Sequence, residues 1–167
     1  MTSPHPYLDT TVPIPIAHRG GAGVWPENTM PAFQGAVDLG FKYVETDVHA
    51  TADGVLVAFH DSRLDRATNK TGKISELLWS DVEKALVDGR EPIPRFSELM
   101  MAFPDLRVNI DPKLDNAVGP LIQELKDLDA LDRVCVGAFS DSRLRKFHDE
   151  FGEKICLSMG PIEVATA

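Results

Sequence analysis

Apolar and polar positions alternate in short bursts along this chain, and most bursts are followed by a stretch with helical spacing. Ile14 and Ile16 share a face with His18, which predicts a strand over 14–18. After Gly20, Gly21 and Gly23 comes a stripe of Phe33, Ala36 and Val37, which predicts a helix near 29–39. Asn28 or Thr29 suits its N-cap, Pro31 its first turn and Gly40 its stop. Further strands are predicted at 43–48, 55–60, 106–111, 134–139 and 155–159, making six. Ser80 and Glu83 predict a capping box and a short helix, and a second helix has Phe96, Leu99, Met100 and Phe103 on one side. Val118, Leu121, Ile122, Leu125 and Leu128 stripe a third, and a fourth runs from Asp141 to Phe151, closed by Gly152. Such alternation predicts an α/β fold with a parallel sheet built from βαβ crossovers.

One link departs from the pattern. Between Asp47 and His60 there is no helical stripe. Its "TADG" would suit a two-stranded hairpin. Extended chain that runs back along the sheet and turns at Asp53-Gly54 is preferred, because it puts the polar tips of both strands at one end.

Composition narrows the class without naming a chemistry. The 167 residues are 43% hydrophobic and 26% charged, as in an ordinary folded protein with a sizeable core. A net charge of −9 argues against nucleic acid or an anionic membrane as a partner. An anionic small molecule would need a local cationic pocket or a metal. The first residues lack the basic and apolar regions of a secretory signal, and no apolar run approaches the roughly 18 residues of a transmembrane helix. Cys135 and Cys156 read as small buried hydrophobes of a reducing compartment, so the cytoplasm is the expected location.

The chemistry is carried by the strand ends. Tyr43, Glu45 and Asp47 share one face; so do Leu56, Ala58 and His60, and so do Asn109, Asp111 and Lys113. With His18, four strands end in ionisable groups on one side. Charge at inward-facing positions is costly unless paired or bound to metal, and carboxyl ends of strands are where open sheets and barrels hold their sites. Glu45, Asp47 and Asp111 offer oxygen ligands for a hard divalent cation, Mg²⁺ or Ca²⁺. The alternative for them is internal ion pairing with Arg19 and Lys113. His18 and His60 suit an acid–base pair, and Arg19 and Lys113 suit a phosphate. Together these predict metal-assisted attack on a phosphate ester or diester. His49 is read as structural, past the rim; His5 and His148 carry no signal.

The segments "AHRG", "PENT", "VETDVHATADGVLVAFHD", "LDRATNKTG" and "IDPK" occur in the order and at the spacing of the glycerophosphodiester phosphodiesterase family, which this chain resembles from about residue 14 to at least 113. The resemblance implies a TIM-type (β/α)₈ barrel, a divalent metal, and hydrolysis of glycerophosphodiesters to an alcohol and glycerol 3-phosphate. It implies His18 and His60 as the acid–base pair, Glu45 and Asp47 as metal ligands, and Arg19 and Lys113 as phosphate contacts. Asn28, in "PENT", would line the substrate site. At the third ligand position, where the family commonly has Glu, this chain has the shorter Asp111. Barrels of this type take about 250 residues. Six strands therefore predict a partial barrel over 14–167 behind an N-terminal tail, 1–13, with the C-terminal strands missing and open edges inviting self-association. Two alternatives stand beside this one: a phospholipase D-like lipid phosphodiesterase, and a barrel fragment that binds phosphate or metal without turnover. A metal-dependent amidohydrolase would want His-x-His on the first strand, where this chain has His18-Arg19.

Overall fold

Val44, Val48, Val108, Ile110, Val134 and Val136 are each at most 1% exposed, and burying them is what brings the parallel strands together. The computed structural model of the chain describes residues 5–166. Its sheet holds β1 (Ile16–Ala17), β2 (Tyr43–Ala50), β6 (Arg107–Pro112), β7 (Val134–Val136) and β8 (Cys156–Leu157), parallel and in that order. A sixth strand, β3 (Leu56–Ala58), runs antiparallel to the end of β2. A separate small hairpin pairs β4 (Leu86–Val87) with β5 (Glu91–Pro92). Helices α1 (Met30–Asp38), α3 (Phe96–Ala102), α4 (Val118–Asp127) and α5 (Asp141–Phe151) cover one face; α2 (Trp79–Val82) and α6 (Pro161–Thr166) are short. Phe33, Phe96, Leu99, Leu121, Leu125 and Phe147 fill the layer between sheet and helices. No helix among the described residues is long and apolar enough to cross a membrane.

The other face is set by register. Tyr43 lies beside Arg107; Glu45 beside Asn109, then Cys135 and Cys156; Asp47 beside Asp111. Since side chains alternate, these rows all point away from the helices. The lowest row is closed by Tyr7, from the stretch expected to be a tail. Its ring meets Tyr43 edge-on at 5.2 Å, and the Tyr43 hydroxyl donates to the Tyr7 carbonyl at 2.7 Å. Among the described residues, β1 and β8 are edges, and the sheet does not close on itself.

Three expectations are corrected. The link after β2 is a hairpin: Thr51 N–H donates to the Val55 carbonyl, Gly54 N–H returns to Thr51, and Gly54 takes φ +85°. The polar tips still meet at one end, because β2 overshoots the rim before folding back and Phe59 N–H reaches the Asp47 carbonyl at 2.9 Å. The predicted capping box at Ser80 does not form. Its helix starts at Trp79, which puts Ser80 inside the first turn, and the Trp79 N–H is taken by Asp53 Oδ1. The first strand stops at Ala17, where a tight turn over His18–Gly20 lifts the chain out of the sheet.

In α4, the Glu124 Oε2 atom is buried without a hydrogen-bond partner. Burial, opposed by Arg95 and reinforced by Asp127, pushes its carboxyl up to about 7. Folding therefore favours the protonated form. That contribution is whole below the ordinary carboxyl range and is lost as pH rises through about 7. Glu124→Gln is expected to raise stability at pH 8 by about 1 kcal/mol, the residue being only partly buried, and to leave it nearly unchanged at pH 4.5. Urea unfolding at the two pH values reads this directly; equal shifts at both would refute it.

Candidate active site

The turn after β1 is unusual backbone. Arg19 has φ +50°, Gly20 +74° and Gly21 +111°, all in the left-handed region. A Cβ on Gly20 would come within 2.8 Å of the Phe33 ring, so glycine is required there for space as well as for φ. The curl aims the Arg19 backbone N–H at Glu45 Oε2, 2.9 Å away, and leaves His18 half over the rim, its Nε2 3.8 Å from the same oxygen.

Asp47 is the centre of the arrangement, 1% exposed. Its Oδ2 accepts from Asn28 Nδ2 at 3.0 Å, and its Oδ1 meets Lys113 Nζ at 2.7 Å. Arg19 Nε stands 3.5 Å from Oδ2, buried and otherwise without a partner. Lys113 also donates to Asp111 Oδ2 at 2.8 Å, so one ammonium bridges carboxylates on two neighbouring strands. Burial works against the charge on Lys113, yet hydrogen bonds to Asp111 and Asp47 hold it above the usual lysine range. Asn28, with φ +55°, accepts from the Thr46 hydroxyl at 2.9 Å; both ends of its amide are taken, so it faces Asp47 rather than open space. Glu45 lacks such a counterion. Burial first, and then the charge of Asp47, push its carboxyl up to about 7.

His60 reaches the cluster through a chain of ion pairs. Its Nδ1 is 2.7 Å from Asp61 Oδ1; Arg66 grips Asp61 and Glu27; and Glu27 accepts from Arg19 Nη1 at 3.0 Å. Hydrogen bonds from Arg66 and Arg19 hold the Glu27 carboxyl below its usual range against the opposing effect of burial. His49, expected to be structural, is 2% exposed and donates from Nε2 to the His60 carbonyl at 3.1 Å. His60, Arg66 and Lys113 share an open hollow of about 500 Å³. A second cavity, of about 530 Å³, is lined by Glu45, Asn109 and Asp111 together with Phe139, Met159 and Val164.

The site thus joins His18, Arg19 and Glu45 directly, and Asn28, Asp47, Asp111 and Lys113 directly, with His60 tied in through Asp61, Arg66 and Glu27. Glu27, Asp61 and Arg66 belong to it although the strand pattern did not single them out. Asp61 had a signal, its adjacency to His60; Glu27 and Arg66 meet only because two loops cross. Among the described residues, no three of His, Cys, Asp and Glu surround a common point as a metal would need. Five carboxylates (Glu27, Glu45, Asp47, Asp61, Asp111) face three fixed cations (Arg19, Arg66, Lys113), so carboxyl groups outnumber the cations that pair with them.

Comparison with known proteins gives the same region. The pattern of the glycerophosphoryl diester phosphodiesterase family matches residues 18–151. The chain is 41% identical over 148 residues to "Probable glycerophosphodiester phosphodiesterase 2" of Mycobacterium tuberculosis, covering 88% of this chain and 56% of that protein. It is 39% identical over 126 residues to a lysophospholipase D of Homo sapiens, covering 68% of this chain and 40% of the other. A phosphodiesterase of Oleispira antarctica, solved with the product sn-glycerol-3-phosphate, superposes with a TM-score of 0.80 at 25% identity, covering 87% of this chain and 65% of that one. The chain spans about half the length of the relatives it matches.

Proposed function

Because the chain belongs to the glycerophosphoryl diester phosphodiesterase family, whose fold is a TIM-type barrel, we propose that its strand tips hydrolyse glycerophosphodiesters to an alcohol and glycerol 3-phosphate. The observation that carries this reading is the charge balance of the site. An excess of carboxylates over cations would repel a phosphodiester anion, whereas a divalent cation held there would admit it. Enzymes of this family generally use a divalent metal. By their chemistry Glu45, Asp47 and Asp111 suit one, as hard oxygen ligands on adjacent strands, although they do not surround a common point in this arrangement; burial first, and then the charge of Asp47, push Glu45 up to about 7. Lys113, on a flexible stem, ion-pairs with both Asp47 and Asp111. Mg²⁺ or Ca²⁺, when bound, neutralises and polarises the phosphoryl oxygens.

The side chains divide the remaining work. Arg19 and Lys113 bind the phosphate by charge. Asn28 orients Asp47. The Nδ1–H of His60 is held by Asp61, which leaves Nε2 to exchange a proton with the reacting oxygen; His18, on the open rim beside Glu45, is the second proton-transfer group. The product bound to the Oleispira antarctica relative supports glycerol 3-phosphate as one product here. A lipid diester of the lysophospholipase D kind is the second reading, favoured by the Homo sapiens relative and by the apolar lining of Phe139, Met159 and Val164 in the cavity they share with the carboxylates.

The test is glycerol 3-phosphate release from glycerophosphocholine by this chain in Mg²⁺, in Ca²⁺ and in chelator. Release is expected in one of the metals, to stop in chelator, and to fall by about 10²–10⁴ in His18→Ala. Folded protein that releases nothing in either metal would overturn the reading.

A further inference from the structure

Cys135 and Cys156 are direct partners in the parallel ladder between β7 and β8, and both are buried, at 8% and 7% exposure. Their side chains continue the interior row of Glu45 and Asn109. Neighbouring strands lie about 4.7–4.9 Å apart, within the about 4.4–6.8 Å Cα range of disulfides. The two thiols pack with Tyr7 and Tyr43, and the Tyr7 hydroxyl is buried without a hydrogen-bond partner. Two apolar fillers would need only volume here. Two thiols in register also bring a sulfur–sulfur bond within reach.

We propose that Cys135 and Cys156 form an oxidisable dithiol, which a hydroperoxide converts to a reversible cross-strand disulfide joining β7 to the edge strand β8. Cys156, on the strand that is an edge among the described residues, is the attacking sulfur. It attacks one peroxide oxygen; the S–O bond forms as the O–O bond breaks, giving a sulfenic acid and, with hydrogen peroxide, one water. The Cys135 sulfur then displaces the sulfenic hydroxyl. The S–S bond forms, the S–O bond breaks, and the hydroxyl leaves as a second water with the Cys135 proton. Two electrons pass from the sulfurs to the peroxide. Strand spacing exceeds the mean Cβ separation of about 3.8 Å in relaxed disulfides, so the bond is strained and readily reduced. It would pin β8, and with it Ser158 and Met159 in the cavity wall.

Folded protein is treated with hydrogen peroxide at low protein concentration, alkylated in denaturant and weighed. Both thiols should disappear together, in a monomeric chain lighter by two hydrogens and yielding one joined peptide pair; dithiothreitol should restore both. Cys135→Ala should stop at the sulfenic acid on Cys156, trapped by dimedone. If both thiols stay free while denatured protein oxidises, or if only links between chains form, the proposal fails. The wild-type result decides alone should the variant not fold.

Discussion

Asp47→Ala is expected to lower folding stability by about 3 kcal/mol and to remove hydrolysis altogether. The carboxylate is 1% exposed and is shared among Asn28, Lys113 and, at longer range, Arg19. Removing one member of a buried ion pair costs about 3–5 kcal/mol, because the other charges stay buried and unpaired. Lys113 and Arg19 keep 23% and 18% of their side chains in water, which favours the lower end. Asp47→Asn should cost less, about 1 kcal/mol. One oxygen still accepts from Lys113, but the new NH₂ faces the Asn28 NH₂, and Asn28 can turn only by giving up Thr46. Charge explains the effect only if the pair is coupled. Adding Lys113→Met to Asp47→Ala should then recover stability, with a coupling energy of about 1 kcal/mol or more. Urea unfolding of these three and of Lys113→Met alone, with unchanged m-values, closes the cycle. Asp47→Ala within about 0.5 kcal/mol of wild type would refute the burial argument.

How much of this was legible in the sequence follows from what alternation can and cannot encode. A period of two places Glu45 beside Asp47 on one face, and Asp111 on the same face of another strand, without any knowledge of partners. That was enough to find the rim. It could not say which counterion the carboxylates hold, so ligands and ion pairs stood as alternatives for the same residues; Lys113 lies between Asp47 and Asp111 because its backbone N–H continues the ladder to the Val48 carbonyl. The hairpin after β2 was ambiguous for a related reason. "TADG" is a turn in either topology, and the closure depends on Thr51 and Val55 meeting across it. Tyr7 was invisible as a packing residue, since a single aromatic in a proline-rich stretch has no period. The pairing of Arg66 with Glu27 and Asp61 was equally hidden, its members 5 to 39 residues apart on loops that meet only once the fold exists.

The outer end of that chain of ion pairs sets the second large effect. His60→Ala is expected to lower kcat for glycerophosphocholine by about 10²–10⁴ with KM changed only a few-fold, as the proposed role in proton transfer rather than phosphate binding requires. Stability should hardly change: His60 is 32% and Asp61 23% exposed, and such pairs contribute about 0–1 kcal/mol. Asp61→Asn tests the orientation separately. An amide NH₂ turned toward Nδ1 would draw the proton onto Nε2 and remove the lone pair that faces the hollow, so kcat should fall by about 10–10² while KM holds. A residue that only buttressed the loop would behave differently in one further assay. Free imidazole fits the open hollow of about 500 Å³ beside Lys113, and it should restore part of the rate to His60→Ala but none to Asp61→Asn, where the ring is present and misdirected. Equal rescue of both, or of neither, would mean that His60 acts through the loop and not through its ring nitrogen.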